Sequence, residues 1–269
     1  MTDNTIQSFH KKELWPKFES LFIDRYCPDF WSINDINLPY GRVMVMNPSD
    51  MPTMLWRANL TKIIDYNTIL HDMAKIENAH NIPVGFSISS SWRGDIERFK
   101  KLLKENAFEL KSRYRWLAKD ISVVLDASLY SGFTIEKTKD LTTFADILGV
   151  GFSSDLGKIF LQGALKNTDD STRGYFIAKN PQTKEIVGCA AAYYHGAFSY
   201  MNCLAVKPED RRQGIARDLV NARIGFLKNH GVKYIVTAVN ETNENSMQVQ
   251  QKSGYVHCET TEYWMKSSA

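Results

Sequence analysis

Residues 201–216 read MNCLAVKPEDRRQGIA. Cys203-Leu204-Ala205-Val206 is a short apolar run, which predicts a buried strand. Pro208 ends it, because a proline has no N–H to give to a sheet ladder. A charged turn follows. From Gly214 the apolar residues Ile215, Leu219, Ala222 and Phe226 recur at helical spacing, and Asn229-His230-Gly231 provides a stop. Strand, basic glycine-containing turn, helix is a physical recipe for holding a phosphate. The first N–H groups of a helix lack intrahelical partners and carry partial positive charge. A glycine there has no Cβ to keep an anion off the backbone, and Arg211, Arg212 and Arg217 add charge. A solvated basic helix start reads the same way, so the turn needs support from the rest of the chain.

Val206-Lys207-Pro208 followed by Arg211-x-x-Gly214-x-Ala216 and a helix resembles the (R/Q)-x-x-G-x-(G/A) motif of the GNAT acetyltransferases. A second match lies downstream. The family's N-x-x-(A/S)-x-x-x-Y-x-x-x-G-(F/Y) is similar to the spacing of Asn243, Ser246, Gly254 and Tyr255, with Gln250 at the internal tyrosine. The resemblance covers about residues 131–266. It implies an α/β (α+β) fold with a central mixed, mostly antiparallel sheet flanked by helices. It also implies acetyl-CoA as co-substrate, no metal, and direct attack on the thioester by an amine of a small molecule or peptide. By the same resemblance, Arg211, Arg212, Gln213, Gly214, Ile215 and Ala216 take the pyrophosphate. The backbone of Leu204, Ala205 and Val206 pairs with the pantetheine arm, the Leu204 N–H polarises the thioester carbonyl, and Asn243 and Ser246 complete the cofactor contacts.

The catalytic groups are less plainly written. A glutamine amide such as that of Gln250 donates a hydrogen bond but supplies no proton at neutral pH. Protonation of the leaving thiolate then falls to Ser246 or to solvent, and a thiolate with pKa near ~8.5 needs little help. The strand before the turn holds no carboxylate, so Glu241, just past the next strand, is the expected base, acting through water. Tyr193 and His195 are alternatives that read equally as core and turn residues, and His257 is expected to pack in a closing hairpin. Positioning of the reactants can contribute up to ~7–11 kcal/mol in favourable cases, and an N–H aimed at the oxyanion adds to it. Gln250 also motivates a competing reading, a non-enzymatic acyl-CoA-binding or regulatory module.

With 269 residues the chain can form one large domain or two ordinary ones. Its 43% hydrophobic residues suffice for a true core. A net charge of +3 is too small to argue for nucleic acid or a membrane surface. No apolar run approaches the ~18 residues of a membrane span, and the polar start has no signal-peptide core. Cys27, Cys189, Cys203 and Cys258 show no C-x-x-C spacing, which predicts reduced thiols rather than a disulfide frame or zinc site. A cytoplasmic globular protein is expected.

The chain also carries a faint internal repeat. Phe108 before Tyr114-Arg115-Trp116-Leu117 parallels Tyr255 before Tyr263-Trp264-Met265-Lys266, at an offset of 147–148 residues. This predicts two GNAT-like copies in tandem, over 1–130 and 131–269. Carried back, the basic turn falls near residues 64–69, which hold no glycine, no basic residue and the carboxylate of Asp65. The first copy is therefore expected to lack a cofactor site and to serve as a wall, an acceptor platform or a homodimer surface.

In the first half the pattern predicts helices over 14–25, 62–80 and from the cap Asp95 to 104. It predicts strands over 42–46, 54–60 and 84–89, and a hairpin over 108–119. In the second half it predicts a strand over 133–138, a helix capped by Asp140 ending at 148, and a loose segment at 149–154. A helix over 155–166 follows, and the resemblance to GNAT proteins implies that this helix–loop–helix lies over the acceptor as a lid. Two hairpins turn at 180–184 and Gly196, and a strand covers 233–239. A helix to 252 is capped by Gly254, and closing strands run over 255–259 and 261–266.

Overall fold

The computed structural model describes residues 14–26, 32–46, 53–56, 58–62, 65–122, 131–152, 154–166 and 170–266. Cys27, the prolines 48 and 52 and residue 64 lie outside that set. The chain forms two compact units. The larger comprises Met1–Phe22, Leu117–Val239 and Asn243–Cys258, and the smaller Ile23–Trp116, Asn240–Thr242 and Glu259–Ala269. These units are drawn differently from the expected division at residue 130.

Helix α1 (Leu14–Leu21) belongs to the larger unit. The smaller unit begins with a hairpin, β1 (Ser32–Leu38) and β2 (Gly41–Met46), of which the sequence reading had only the second strand. Next come β3 (Thr53–Trp56), helix α2 (Asn67–His80), β4 (Val84–Ile88), helix α3 (Ile96–Glu105) and β5 (Phe108–Asp120). β2 pairs antiparallel with β3, and β3 runs parallel to β4, with α2 making the crossover that parallel strands require. Asp95 caps α3 as expected, accepting from the Arg98 N–H at 3.0 Å. Phe86 meets Phe99 and Phe108 edge-on at 5.4 and 5.1 Å, the aromatic centre of this unit's core.

The larger unit continues with β6 (Thr134–Lys137), helices α4 (Leu141–Gly151) and α5 (Ser154–Lys166), then β7 (Arg173–Lys179), β8 (Ile186–His195) and β9 (Phe198–Val206). Helix α6 (Ile215–Asn229), β10 (Tyr234–Asn240), helix α7 (Glu244–Lys252) and β11 (Val256–Lys266) complete the chain. The segment expected to be loose at 149–154 is instead mostly helical, since α4 runs on to Gly151 and α5 opens at Ser154. The C-cap of α7 is Ser253, and Gly254 follows it at φ 81°, the left-handed residue that turns the chain out of the helix.

The order β1-β2-β3-α2-β4-α3-β5 recurs as β7-β8-β9-α6-β10-α7-β11. The pairing senses recur with it: antiparallel, antiparallel, then parallel across the helix. The last strands are exchanged. In the smaller unit the order is β1-β2-β3-β4-β11-β5, and in the larger β5-β10-β9-β8-β7-β6. Thus β4 is joined by β11, with Glu262 opposite Ile88 and Trp264 opposite Phe86, rather than by the strand that follows it in its own repeat. This corrects both expected closing hairpins. Residues 108–120 and 256–266 contain no Gly, Pro or Asn at which to fold back, and each forms one uninterrupted strand.

Candidate functional site

Strand β9 is irregular where the sequence reading placed the acyl group. Opposite β8 the register runs Ala191↔Asn202 and then Cys189↔Ala205, so Cys203 and Leu204 together face the single Ala190. This is a β-bulge, which interrupts the ladder and bends the strand. Cys203 carries it at φ 53°, a left-handed conformation that is costly for a residue with a Cβ. Burial pushes the Cys203 thiol up to about 12, so it is no thiolate nucleophile. On its other side β9 is parallel to β10 from Phe198↔Tyr234 to Tyr200↔Val236. Past that point the Thr237 hydroxyl donates to the Met201 carbonyl at 2.7 Å, a side chain doing what the backbone ladder did before. Asn202, Cys203 and Leu204 are half-buried, whereas Ala205 and Val206 are buried.

The turn after β9 is built from left-handed residues. Arg212 has φ 66° and Gly214 φ 86°. Left-handed residues set close together in a turn make a concave run of N–H groups suited to an anion. The N-cap of α6 is Gly214, with no side chain bonded across the helix start. The contrast with other helices is sharp. Asp95, Asp140 and Asn243 cap α3, α4 and α7 by accepting from the N–H of Arg98, Thr143 and Ser246 at 3.0 Å each. Arg211, Arg212, Gln213 and Arg217 are exposed around the α6 start, while the Ile215 side chain is buried, so that Ile215 offers only its N–H. Arg211 does more than add charge: its Nε donates to the Val206 carbonyl at 3.1 Å and its Nη2 to the Gly151 carbonyl at 3.4 Å. It fastens the turn to the ends of β9 and α4.

The corresponding place in the smaller unit is different. The N-cap of α2 is Tyr66 at φ −67°, an ordinary right-handed residue. Asp65 Oδ1 accepts from the Asn67 backbone N–H and from Asn67 Nδ2, both at 2.9 Å. A carboxylate of the chain already sits at the positive end of this helix.

Of the other residues expected at the site, Asn243 and Ser246 lie together at the start of α7, where the Asn243 side chain accepts from the Ser246 N–H. Gln250 is buried, and its Oε1 has no hydrogen-bond partner among the described residues. Glu241 falls in the smaller unit, where its N–H donates to the Arg113 carbonyl at 2.9 Å and its carboxylate lies 3.6 Å from Arg113 Nη1. Tyr193 is core, edge-on to Tyr175 at 6.2 Å, and His195 is exposed at the hairpin. His257 is exposed as well, not packed as expected, because it alternates with the buried Cys258 on β11. Among the described residues no three His, Cys, Asp or Glu groups gather into a metal site, and no helix is long and apolar enough to cross a membrane.

Comparison with known proteins bears on this arrangement. The model of the acetyltransferase (GNAT) family matches residues 145–255, from within α4 to just past α7. Residues 145–255 form a GNAT domain. Among curated proteins no sequence matches the chain. Solved structures do match in shape. A GCN5-related N-acetyltransferase from Kribbella flavida superposes with TM-score 0.65 at 12% identity, over 88% of this chain and 91% of its own. One from Sphaerobacter thermophilus gives 0.65 at 14% identity, over 84% and 76%. A tandem GNAT protein from the clavulanic acid biosynthesis pathway gives 0.60 at 12% identity, over 84% and 78%. At such identities the likeness is one of fold, and it extends well beyond the GNAT domain to the repeated elements of the smaller unit.

Buried charges in the GNAT domain escaped the sequence reading, Asp218 and Arg223 among them. Asp218, fully buried, accepts from the Ser131 N–H at 2.7 Å and so ties the approach to β6 onto the first turn of α6. Arg223 is 1% exposed and, among the described residues, bonds only to carbonyls. The signal for it was present: position 223 lies four residues after Leu219 and four before Leu227, on the apolar face of α6, where a charge calls for an explanation.

Proposed function

We propose that the GNAT domain binds acetyl-CoA and transfers its acetyl group to an amine of a small molecule or peptide. The observation that carries this reading is the start of α6. There a left-handed glycine stands in place of a capping side chain, and exposed arginines surround the first N–H groups of the helix. That donor set fits a pyrophosphate and would be spoiled by a carboxylate cap. The residues we assign to the anion are Arg212, Gln213, Gly214, Ile215 and Ala216, with Arg211 holding the turn in shape. The bulge supports the second half of the reading. The β9–β10 ladder ends at Tyr200↔Val236, which leaves the β10 side of Leu204, Ala205 and Val206 as an edge for the pantetheine arm. The bulge at Cys203 and Leu204 bends the strand where the Leu204 N–H would meet the thioester carbonyl.

In the reaction the amine nitrogen attacks the thioester carbon, the C–N bond forms, and the C–S bond breaks to release the CoA thiolate. Water takes the amine proton, and the thiolate is protonated by solvent or by the Ser246 hydroxyl. Gln250 supplies none. Its place inside the domain favours one competing reading, a domain that binds acyl-CoA without turnover, and release of free CoA with any amine rejects that reading. In the smaller unit Asp65 supports a copy without a cofactor site.

The test is calorimetric titration of the full chain with acetyl-CoA, beside a Gly214→Glu variant. One site per chain, lost in the variant, is expected. Two sites would overturn the silent smaller copy, and no binding would overturn the acyl-CoA reading.

A further inference from the structure

We propose that Arg223 is a positioning residue for acyl transfer, holding in place, from inside the core, the β9 bulge against which the thioester carbonyl is received. The proposal rests on the acyl-CoA reading above and adds to it a residue that never touches substrate.

The argument begins with cost. A guanidinium removed from water needs compensation, and buried arginines usually find a carboxylate. Arg223 has none. Its Nε donates to Leu219 O at 3.2 Å, and its Nη1 donates to Ala191 O and to Asn202 O at 3.1 Å each. Nη2 is buried with no hydrogen-bond partner among the described residues, which adds to the cost. Burial pulls the guanidinium down to about 10, and it stays protonated at neutral pH. An apolar side chain here would fill the core without this penalty.

What Arg223 does in return lies in the identity of the two strand carbonyls. Ala191 and Asn202 are cross-strand partners, and they are the last regular pair before Cys203 and Leu204 bulge out against Ala190. One nitrogen therefore bridges β8 and β9 at the rung where the ladder breaks. Cys203 next to it is held at φ 53°, a conformation that persists only when its surroundings enforce it. A rigid planar donor anchored to Leu219 on the helix enforces it better than a flexible ammonium could. The acceptors are backbone atoms, so the shape of the bulge, rather than any side chain, is what Arg223 controls.

The experiment uses the full chain and the variants Arg223→Lys and Arg223→Met, with CoA and carbonyl-¹³C acetyl-CoA as probes. Calorimetry with CoA reports the pyrophosphate turn. Isotope-edited infrared spectroscopy of bound acetyl-CoA reports polarisation of the thioester carbonyl, which a purely structural role would not move separately. In wild type the carbonyl stretch is expected to fall on binding. In the folded Lys variant CoA affinity should stay within about threefold while at least about half of the carbonyl shift is lost, the signature of a misplaced oxyanion donor. An unchanged carbonyl shift in either folded variant overturns the proposal. So does a parallel loss of CoA affinity and carbonyl shift, or failure of both variants to fold, each of which makes Arg223 a core strut. Wild-type protein that binds no CoA overturns the acyl-CoA reading itself, and that result is seen before any variant is compared.

Discussion

A Cβ added to Gly151 would stand 2.6 Å from the Cβ of Ala205. The last residue of α4 thus lies directly on β9 one position beyond the bulge, and Arg211 clamps the same junction through the Gly151 and Val206 carbonyls. Gly151→Ala is expected to push the two elements apart, at a cost of about 1–3 kcal/mol for overpacking a close contact. Urea unfolding measures it. A variant as stable as wild type would show that the end of α4 can slide over β9 freely.

Gly214 sits at φ 86°, while its nearest neighbour across the turn, Ser131, leaves a Cβ 3.6 Å of room. The obstacle to Gly214→Ala is therefore conformational rather than steric, and a loss of about 1–2 kcal/mol is expected from forcing alanine into the left-handed region. Gly231, at φ 74° with open space around it, offers the control. Gly231→Ala should lose a similar amount of stability yet leave acetyl-CoA affinity unchanged, whereas Gly214→Ala should weaken it. Equal affinities in the two variants would detach α6 from cofactor binding.

Gln250 is 2% exposed, with a buried Oε1 that has no hydrogen-bond partner among the described residues. An unsatisfied buried amide oxygen costs about 1–3 kcal/mol. Gln250→Leu removes it with little change of shape and should raise stability by about 1 kcal/mol. Because the amide supplies no proton, the pH profile of CoA release should be the same in both proteins. A lost alkaline limb in the variant would mean that Gln250 takes part in thiolate protonation after all.

In the smaller unit, burial pushes the Glu262 carboxyl up. Hydrogen bonds from Trp264 Nε1 at 3.0 Å and Lys100 Nζ at 3.0 Å, with Arg113 Nε at 3.3 Å, outweigh that and hold it below the usual range. A carboxylate with a lowered native pKa stabilises the fold at pH above its unfolded value, near ~4.3, and that contribution disappears as pH falls through the native value. Glu262→Gln should cost about 1–2 kcal/mol at pH 7 and much less at pH near ~3. Unfolding midpoints across that range decide it, and a loss that is the same at both ends would assign the effect to packing.

The chain alone carried a good deal. The spacing of Ile215, Leu219, Ala222 and Phe226, the proline after Val206 and the glycine at 214 are local signals, and each names a local conformation: helix, strand end, left-handed turn. Asp95 and Asp140 marked helix starts for the same reason, since a cap acts on an N–H three residues away. The faint repeat was legible too, through aromatic residues spaced alike in two strands.

What needed the folded molecule was everything set by partners distant in sequence. Alternation along 108–120 and 256–266 states which face is buried but not which strand lies alongside, so two long exchanged strands looked like two hairpins. The bulge at Cys203 is a mismatch of register between β8 and β9, visible only once both are paired. Arg223 and Glu241 were ordinary charges until packing put one against the carbonyls of Ala191 and Asn202 and the other against Arg113. Local sequence sets torsions and caps over a few residues, while strand partners and the surroundings of a buried charge are chosen by the chain closing on itself.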